Sequence, residues 1–154
     1  MLTLSYRKAT LSDLSFILKV ESECFNQIDL FKKYQVYHFL RNPNNSIISD
    51  IITLDDNSIG WACYFTRKNY SSIRLYSICI SPSYHGNGYA KKYLIERLNE
   101  LSSNFDRIYL EVRISNLVAI GLYSSLGFKK LKELPGYYLN EDGIKMVCRL
   151  PLAL

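Results

Sequence analysis

Three stretches of the chain carry candidates for ligand binding or catalysis. In Arg107-Ile-Tyr-Leu-Glu-Val-Arg-Ile114, strand alternation sends Ile108, Leu110, Val112 and Ile114 to one face and Tyr109, Glu111 and Arg113 to the other. A strand covered on both faces should be apolar on both, so the polar face implies missing cover and a cleft over Glu111. The other reading puts the strand near an edge, with Glu111 and Arg113 solvated or paired across strands. Tyr123 follows, within Asn116-Leu-Val-Ala-Ile-Gly-Leu-Tyr-Ser-Ser-Leu-Gly-Phe128. It lies about two turns beyond Asn116 on the expected helix and can pack in the core with its hydroxyl satisfied. Asn116 is a good helix N-cap, and capping alone accounts for it.

The third candidate is Ser81-Pro-Ser-Tyr-His-Gly-Asn-Gly-Tyr-Ala90, between a strand and a helix. Gly86 and Gly88 let the backbone turn tightly and approach a ligand with no Cβ in the way. The free N–H groups of the next helical turn face the same space, an anion site suited to a pyrophosphate. A purely structural glycine turn has the same look. The run is not a Walker loop, because no Gly-Lys-Ser/Thr follows, and it lacks the third glycine of a dinucleotide fingerprint.

The elements that must position these residues belong to a chain of 154 residues, 48% hydrophobic and 21% charged, which fits one domain spanning 1–154. No stretch approaches the ~20 apolar residues of a membrane helix. The start of the chain lacks the features of a signal peptide, so a cytoplasmic protein with no membrane association is expected. Cys24, Cys63, Cys79 and Cys148 form no C-x-x-C pair, so neither a disulfide framework nor a metal site is expected. The net charge of +5 favours acidic partners, a polyanionic cofactor among them. The basic residues are scattered and the aromatics follow core-like periodicities, which argues against nucleic acid.

Residues 4–9 read as a strand, and Thr10-Leu-Ser-Asp13 as a capping-box start to a helix carrying Leu14, Ile17, Leu18 and Cys24/Phe25 at helical spacing. A second helix is expected from Asp29 to Arg41, ended by Asn42-Pro-Asn-Asn45. Three strands follow at Ser46–Leu54, Ile59–Thr66 and Ser72–Ile80, as an antiparallel meander. A helix from Gly88 to Leu101 carries Ala90, Leu94, Leu98 and Leu101 on one stripe. After strand Arg107–Ile114 comes the helix Asn116–Leu126, closed by Gly127. Strands at 128–134 and 144–150 flank an aromatic and acidic loop, Pro135 to Asp142. The strand–helix–strand segment normally makes a parallel crossover. The fold class is therefore α/β: a mixed, mostly antiparallel sheet with one parallel β-α-β unit and helices on both faces.

These pieces, in this order, resemble the GNAT superfamily of acyl-coenzyme-A-dependent N-acetyltransferases. The block Leu110–Phe128 is similar to that of protein N-terminal acetyltransferases of the ribosomal-protein alanine type. So is the tail Gly136-Tyr-Tyr-Leu-Asn-Glu-Asp-Gly-Ile-Lys-Met146. The resemblance implies that the backbone of Ile78, Cys79 and Ile80 pairs with the pantetheine arm of acetyl-coenzyme A, and that His85, Gly86, Asn87, Gly88, Tyr89, Ala90 and Lys91 surround its pyrophosphate. Asn116 would bond the cofactor near its reactive end. The family usually has arginine or glutamine where His85 stands and often a basic residue at Gly86, so backbone donors would supply much of the phosphate contact here. Glu111 is implied as general base and Tyr123 as the acid that protonates the departing thiolate.

By the same resemblance Tyr137 and Tyr138, with Phe25 to Phe31 opposite, grip the amine acceptor; strand-end packing would also explain the tyrosine pair. The first reading of the acceptor is a protein N-terminal amine. The alternatives are a small amine (polyamine, amino acid or aminoglycoside) and a non-catalytic acyl-coenzyme-A-binding module. A monomer or weak homodimer is expected.

Overall fold

The computed structural model describes residues 1–26 and 29–154. The strands are β1 (Leu4–Lys8), β2 (Ile47–Leu54), β3 (Asn57–Thr66), β4 (Ser72–Ile80), β5 (Arg107–Arg113), β6 (Lys129–Tyr138) and β7 (Glu141–Arg149). They form a sheet in the order β1-β2-β3-β4-β5-β7-β6, in which only the β4–β5 pair is parallel. The helices are α1 (Leu14–Cys24), α2 (Lys33–Arg41), α3 (Tyr89–Leu101) and α4 (Leu117–Ser125).

Each face of the sheet has its own core. On one, Ile17 and Val20 of α1 and Val36 of α2 pack on Ile51, Trp61, Cys63 and Cys79. On the other, Tyr93, Leu94, Leu98 and Leu101 of α3, with Tyr123 and Leu126, cover Ile52, Ala62, Ile73, Ile108 and Leu110. Alternation along each strand supplies both sets, since successive side chains point to opposite faces.

Several boundaries depart from expectation, each for a local reason. Asp55 and Asp56 both take positive φ, 47° and 67°, the geometry of a two-residue hairpin turn, so β3 begins at Asn57 rather than Ile59. Helix α2 begins at Lys33, with Gln35 Oε1 accepting from the Lys32 N–H (2.7 Å). Asp29 stays outside it and turns its carboxylate to Arg113. The stretch 135–142 is no long loop: β6 and β7 run on to leave Leu139-Asn140 as the hairpin tip. Ile114, expected in the core, lies past the end of β5 and is 50% exposed.

The consequential feature is the β4–β5 pairing. It holds only between Ser72–Arg74 and Arg107–Tyr109, although both strands continue. At Tyr76 the register of β4 against β3 slips by one residue, Tyr64 facing Leu75 while Cys63 faces Ser77. Such a bulge bends its strand. β4 stays with β3 and β5 stays with β7, so the sheet parts beyond Arg74.

Candidate active site

The parting leaves two cavities side by side. The first, about 310 Å³, is lined by Glu21, Phe25, Phe31, Arg74, Glu111, Tyr123, Tyr137 and Tyr138 among others. The second, about 410 Å³, runs along Ile78, Cys79 and Ile80 to Tyr84, His85, Gly86 and Gly88 through Lys91. Phe25, Ile78, Asn116, Ala119 and Tyr123 line both.

On β4 the ladder to β3 decides which backbone groups are free. The Ser81 N–H donates to the Ile59 carbonyl (2.7 Å). By the alternation of an antiparallel pair, Cys79 then also turns its N–H and C=O to β3, opposite Trp61. Ile78 and Ile80 face the open side. Of the three residues expected to offer backbone there, Cys79 instead contributes its side chain to the α1 side of the sheet, where its thiol donates to Glu21 Oε2 (3.2 Å). The Ile80 carbonyl already accepts from Cys24 Sγ (3.0 Å) and from His85 Nε2 (2.6 Å), which puts the ring proton on Nε2. His85 is thus folded back onto β4.

Past β4 the chain makes a single 3-10 turn (Pro82–Tyr84) and bends at Gly86 and Gly88, with φ of +81° and +74°. Nothing lies within 4 Å of the position a Cβ would occupy at either, so the space over the bend is clear. No side chain caps α3, and its first N–H groups lack intrahelical acceptors. Asn87 does not line the cavity; its amide donates to the Tyr84 (3.1 Å) and His85 (3.3 Å) carbonyls and stiffens the bend.

Asn116 is the N-cap of α4, its Oδ1 accepting from the Ala119 N–H (3.2 Å). The side-chain N–H₂ is left for other use at the junction of the two cavities. Tyr123 is 8% exposed, and burial pushes its phenol up to about 12. Among the described residues none hydrogen-bonds its hydroxyl. Tyr123 is thus a core residue whose polar end is unspent.

Glu111 is paired across strands and also faces the cleft. Its Oε2 accepts from Arg74 Nε (2.9 Å), on the far side of the parting. Arg74 Nη2 donates to the Tyr137 hydroxyl (3.1 Å), and the guanidinium lies 4.8 Å from the Tyr76 ring. Arg113, next but one to Glu111, holds the cavity rim together. It grips Asp29 through Nε (3.0 Å) and Nη2 (2.5 Å), donates to Glu141 Oε1 (3.1 Å) and Asn140 Oδ1 (2.5 Å), and lies 4.4 Å from the Tyr138 ring. This side chain draws the segment after α1 and the β6–β7 hairpin to one strand. Tyr137 and Tyr138 meet edge to face at 5.0 Å. Phe25 and Phe31 stand in the same cavity; residues 27 and 28 of that expected wall lie outside the described residues.

Arg74, Asp29 and Glu21 were not singled out from the sequence. The alternation of Arg74 with Tyr76 on β4 was the one signal for the first. Asp29 is expected at the start of a helix, and nothing in the sequence separates Glu21 from the other charged residues of α1. Among the described residues no three histidine, cysteine or acidic side chains come together as a metal site, and no helix is long and apolar enough to cross a membrane.

An opened strand edge beside a glycine bend, with a carboxylate and a phenol at its inner end, is an arrangement suited to acyl transfer. The chain belongs to the acetyltransferase (GNAT) family, whose family model matches residues 14–128. It is 28% identical over 156 residues to an N-alpha-acetyltransferase of Saccharolobus solfataricus, covering 93% of this chain and 90% of that one. It is 32% identical over 105 residues to a [ribosomal protein bS18]-alanine N-acetyltransferase of Haemophilus ducreyi, covering 68% and 71%. The crystal structure of the ribosomal-protein-S18-alanine N-acetyltransferase from Escherichia coli superimposes with a TM-score of 0.82 at 24% identity, over all of this chain and 97% of the other. The activity of the family, acetyl transfer to an amine, is the activity of this chain.

Proposed function

We propose that residues 1–154 act as one catalytic domain that moves the acetyl group of acetyl-coenzyme A directly to a protein N-terminal α-amine. The meeting of two cavities at Tyr123 and Asn116, with Glu111 on one side and the open edge of β4 on the other, carries this reading. The residues fit the co-substrate. Ile78 and the N–H of Ile80 are placed to pair with the pantetheine amides as an added strand would. The amides of the Gly86–Lys91 bend and the Lys91 side chain suit the pyrophosphate. The co-substrate supplies an activated thioester; everything else is done by the chain.

Glu111 keeps Oε1 free while Arg74 holds Oε2, so the carboxylate has one fixed oxygen and one available to take the amine proton, directly or through water. An α-amine, with a pKa of about 7.7–8.0, is partly neutral at working pH, whereas a lysine near 10.4 is not. Tyr123 donates a hydrogen bond to the sulfur as charge develops there. Its phenol, at about 12, is a weaker acid than an ordinary thiol near 8.5. It therefore stabilises the thiolate rather than surrendering its proton outright. Asn116 adds a second donor. Holding amine and thioester together contributes further, effective molarities reaching roughly 10⁵ M or more.

The charges in the acceptor cavity speak for a peptide over a polyamine. Glu111 is paired with Arg74, and Asp29 and Glu141 are both bound to Arg113, so each of these carboxylates already has a cationic partner. Aromatic walls from Phe25, Phe31, Tyr137 and Tyr138 suit the first residues of a chain. Thiol release from acetyl-coenzyme A, measured with free N-terminal peptides, N-blocked lysine peptides and spermidine, tests this. Selective turnover of the free N-termini is expected. Selective turnover of spermidine would replace the reading, and binding without release for any amine would favour the non-catalytic alternative.

A further inference from the structure

Glu21, on the third turn of α1, is 2% exposed and forms part of the acceptor-cavity wall. Three donors converge on its Oε2: Trp61 Nε1 (3.2 Å), Ser77 Oγ (3.1 Å) and Cys79 Sγ (3.2 Å). Its Oε1 has no hydrogen-bond partner, and among the described residues no other buried side-chain nitrogen or oxygen lacks one. A buried carboxyl oxygen left unpaired is costly. With Oε2 tethered from three directions, the orientation of Oε1 is set as well. Ser77 lines the same cavity, and Phe25, one helical turn beyond Glu21, lines both. The carboxyl that carries the orphan oxygen is thus part of the wall of the cavity in which the amine is received.

We propose that the acceptor completes this oxygen: Glu21 is a specificity-determining residue that hydrogen-bonds a hydroxyl on the first side chain of the acceptor, favouring an N-terminal serine. A hydroxyl is singled out because it both donates and accepts. It satisfies Oε1 whether the carboxyl is ionised or protonated, and burial raises the pKa of Glu21 and so favours the protonated form. An ammonium would match only the ionised form, a carbonyl only the protonated one, and a methyl group neither. The assignment rests on the N-terminal-amine reading and adds to it the chemistry of the first residue.

The test compares three peptides that differ only at the first residue: serine, 2-aminobutyrate (a methyl in place of the hydroxyl) and alanine. For the unaltered enzyme, kcat/KM for the serine peptide is expected to exceed that for the 2-aminobutyrate peptide by roughly tenfold or more. In Glu21→Met that ratio falls to within about twofold of unity, while Glu21→Gln, which can still hydrogen-bond a hydroxyl, keeps part of it. Equal turnover of the two peptides by the unaltered enzyme, or a preference that survives Glu21→Met, overturns the role of Glu21 and leaves the N-terminal reading standing. Failure to acetylate all three peptides while small amines react overturns both. Should Glu21→Met not fold, the unaltered enzyme and Glu21→Gln decide the matter.

Discussion

The polar cluster behind α3 and the cleft between β4 and β5 use the same residue types to opposite ends. Behind α3, Asp50 accepts from the Tyr93 hydroxyl (2.6 Å) and from Arg97 Nε (2.7 Å) and Nη2 (3.2 Å), and Tyr93 meets the Tyr64 hydroxyl at 2.8 Å. Both rings and the aspartate are buried, and every strong hydrogen-bonding group is matched, tying β2 and β3 to α3. In the cleft, carboxylates, arginines and tyrosines again meet, but with capacity left over. Glu111 spends one oxygen, Asn116 spends its carbonyl and not its amide, and Tyr123 spends nothing. Closed networks hold layers together, whereas half-closed ones are oriented by the bond they make and offer the remainder to a ligand.

That contrast can be broken at either end. The largest effect is expected behind α3: Asp50→Ala leaves Arg97 Nε and Nη2 without their acceptor, while Nη1 keeps Glu100, and should cost about 3 kcal/mol. Thermal unfolding should show a melting point lower by roughly 10 °C, with kcat below the transition within about twofold of the unaltered enzyme. A tenfold fall in kcat with the fold intact would erase the distinction between the two regions.

Tyr123→Phe should do the reverse, lowering kcat about 10²-fold with an unchanged melting point and little change in KM for acetyl-coenzyme A. The raised phenol pKa means that the protonated, donating form persists through alkaline pH. The rate profile of the unaltered enzyme should therefore have no limb from this residue between pH 6 and 10, and a limb there that Tyr123→Phe abolishes would contradict its role as a fixed donor.

Glu111→Gln should lower kcat by about tenfold or more while leaving thioester affinity in place; steady-state kinetics at saturating acetyl-coenzyme A separate the two. Arg113→Lys keeps the charge but loses the two-pronged grip on Asp29, so KM for a peptide acceptor should rise several-fold with kcat little altered. The smallest effect concerns Cys24, whose thiol is held down to about 7 by the neighbouring Cys79 and then His85 side chains. It lines the cofactor cavity, so acetyl-coenzyme A should slow its alkylation several-fold, read by mass mapping.

What the chain of residues determined by itself is what short-range rules govern. The alternation of 107–113 put Glu111 and Arg113 on one face, Asn116 announced the start of α4, and the Gly86 and Gly88 bend before α3 was legible because only glycine takes those φ values at little cost. The seven strands could be located for the same reason, although Asp55-Asp56 and Leu139-Asn140 turned out to be tighter turns than their composition suggested. Only the tertiary structure decided who meets whom. Arg74 and Glu111 are 37 residues apart, Asp29 and Arg113 are 84 apart, and Glu21 and Trp61 are 40 apart. No local propensity reaches so far. The Arg74–Glu111 pair spans the place where β4 leaves β5. That parting follows from two strands held fast by different neighbours, β3 on one side and β7 on the other, a competition between long-range ladders that no window of sequence contains.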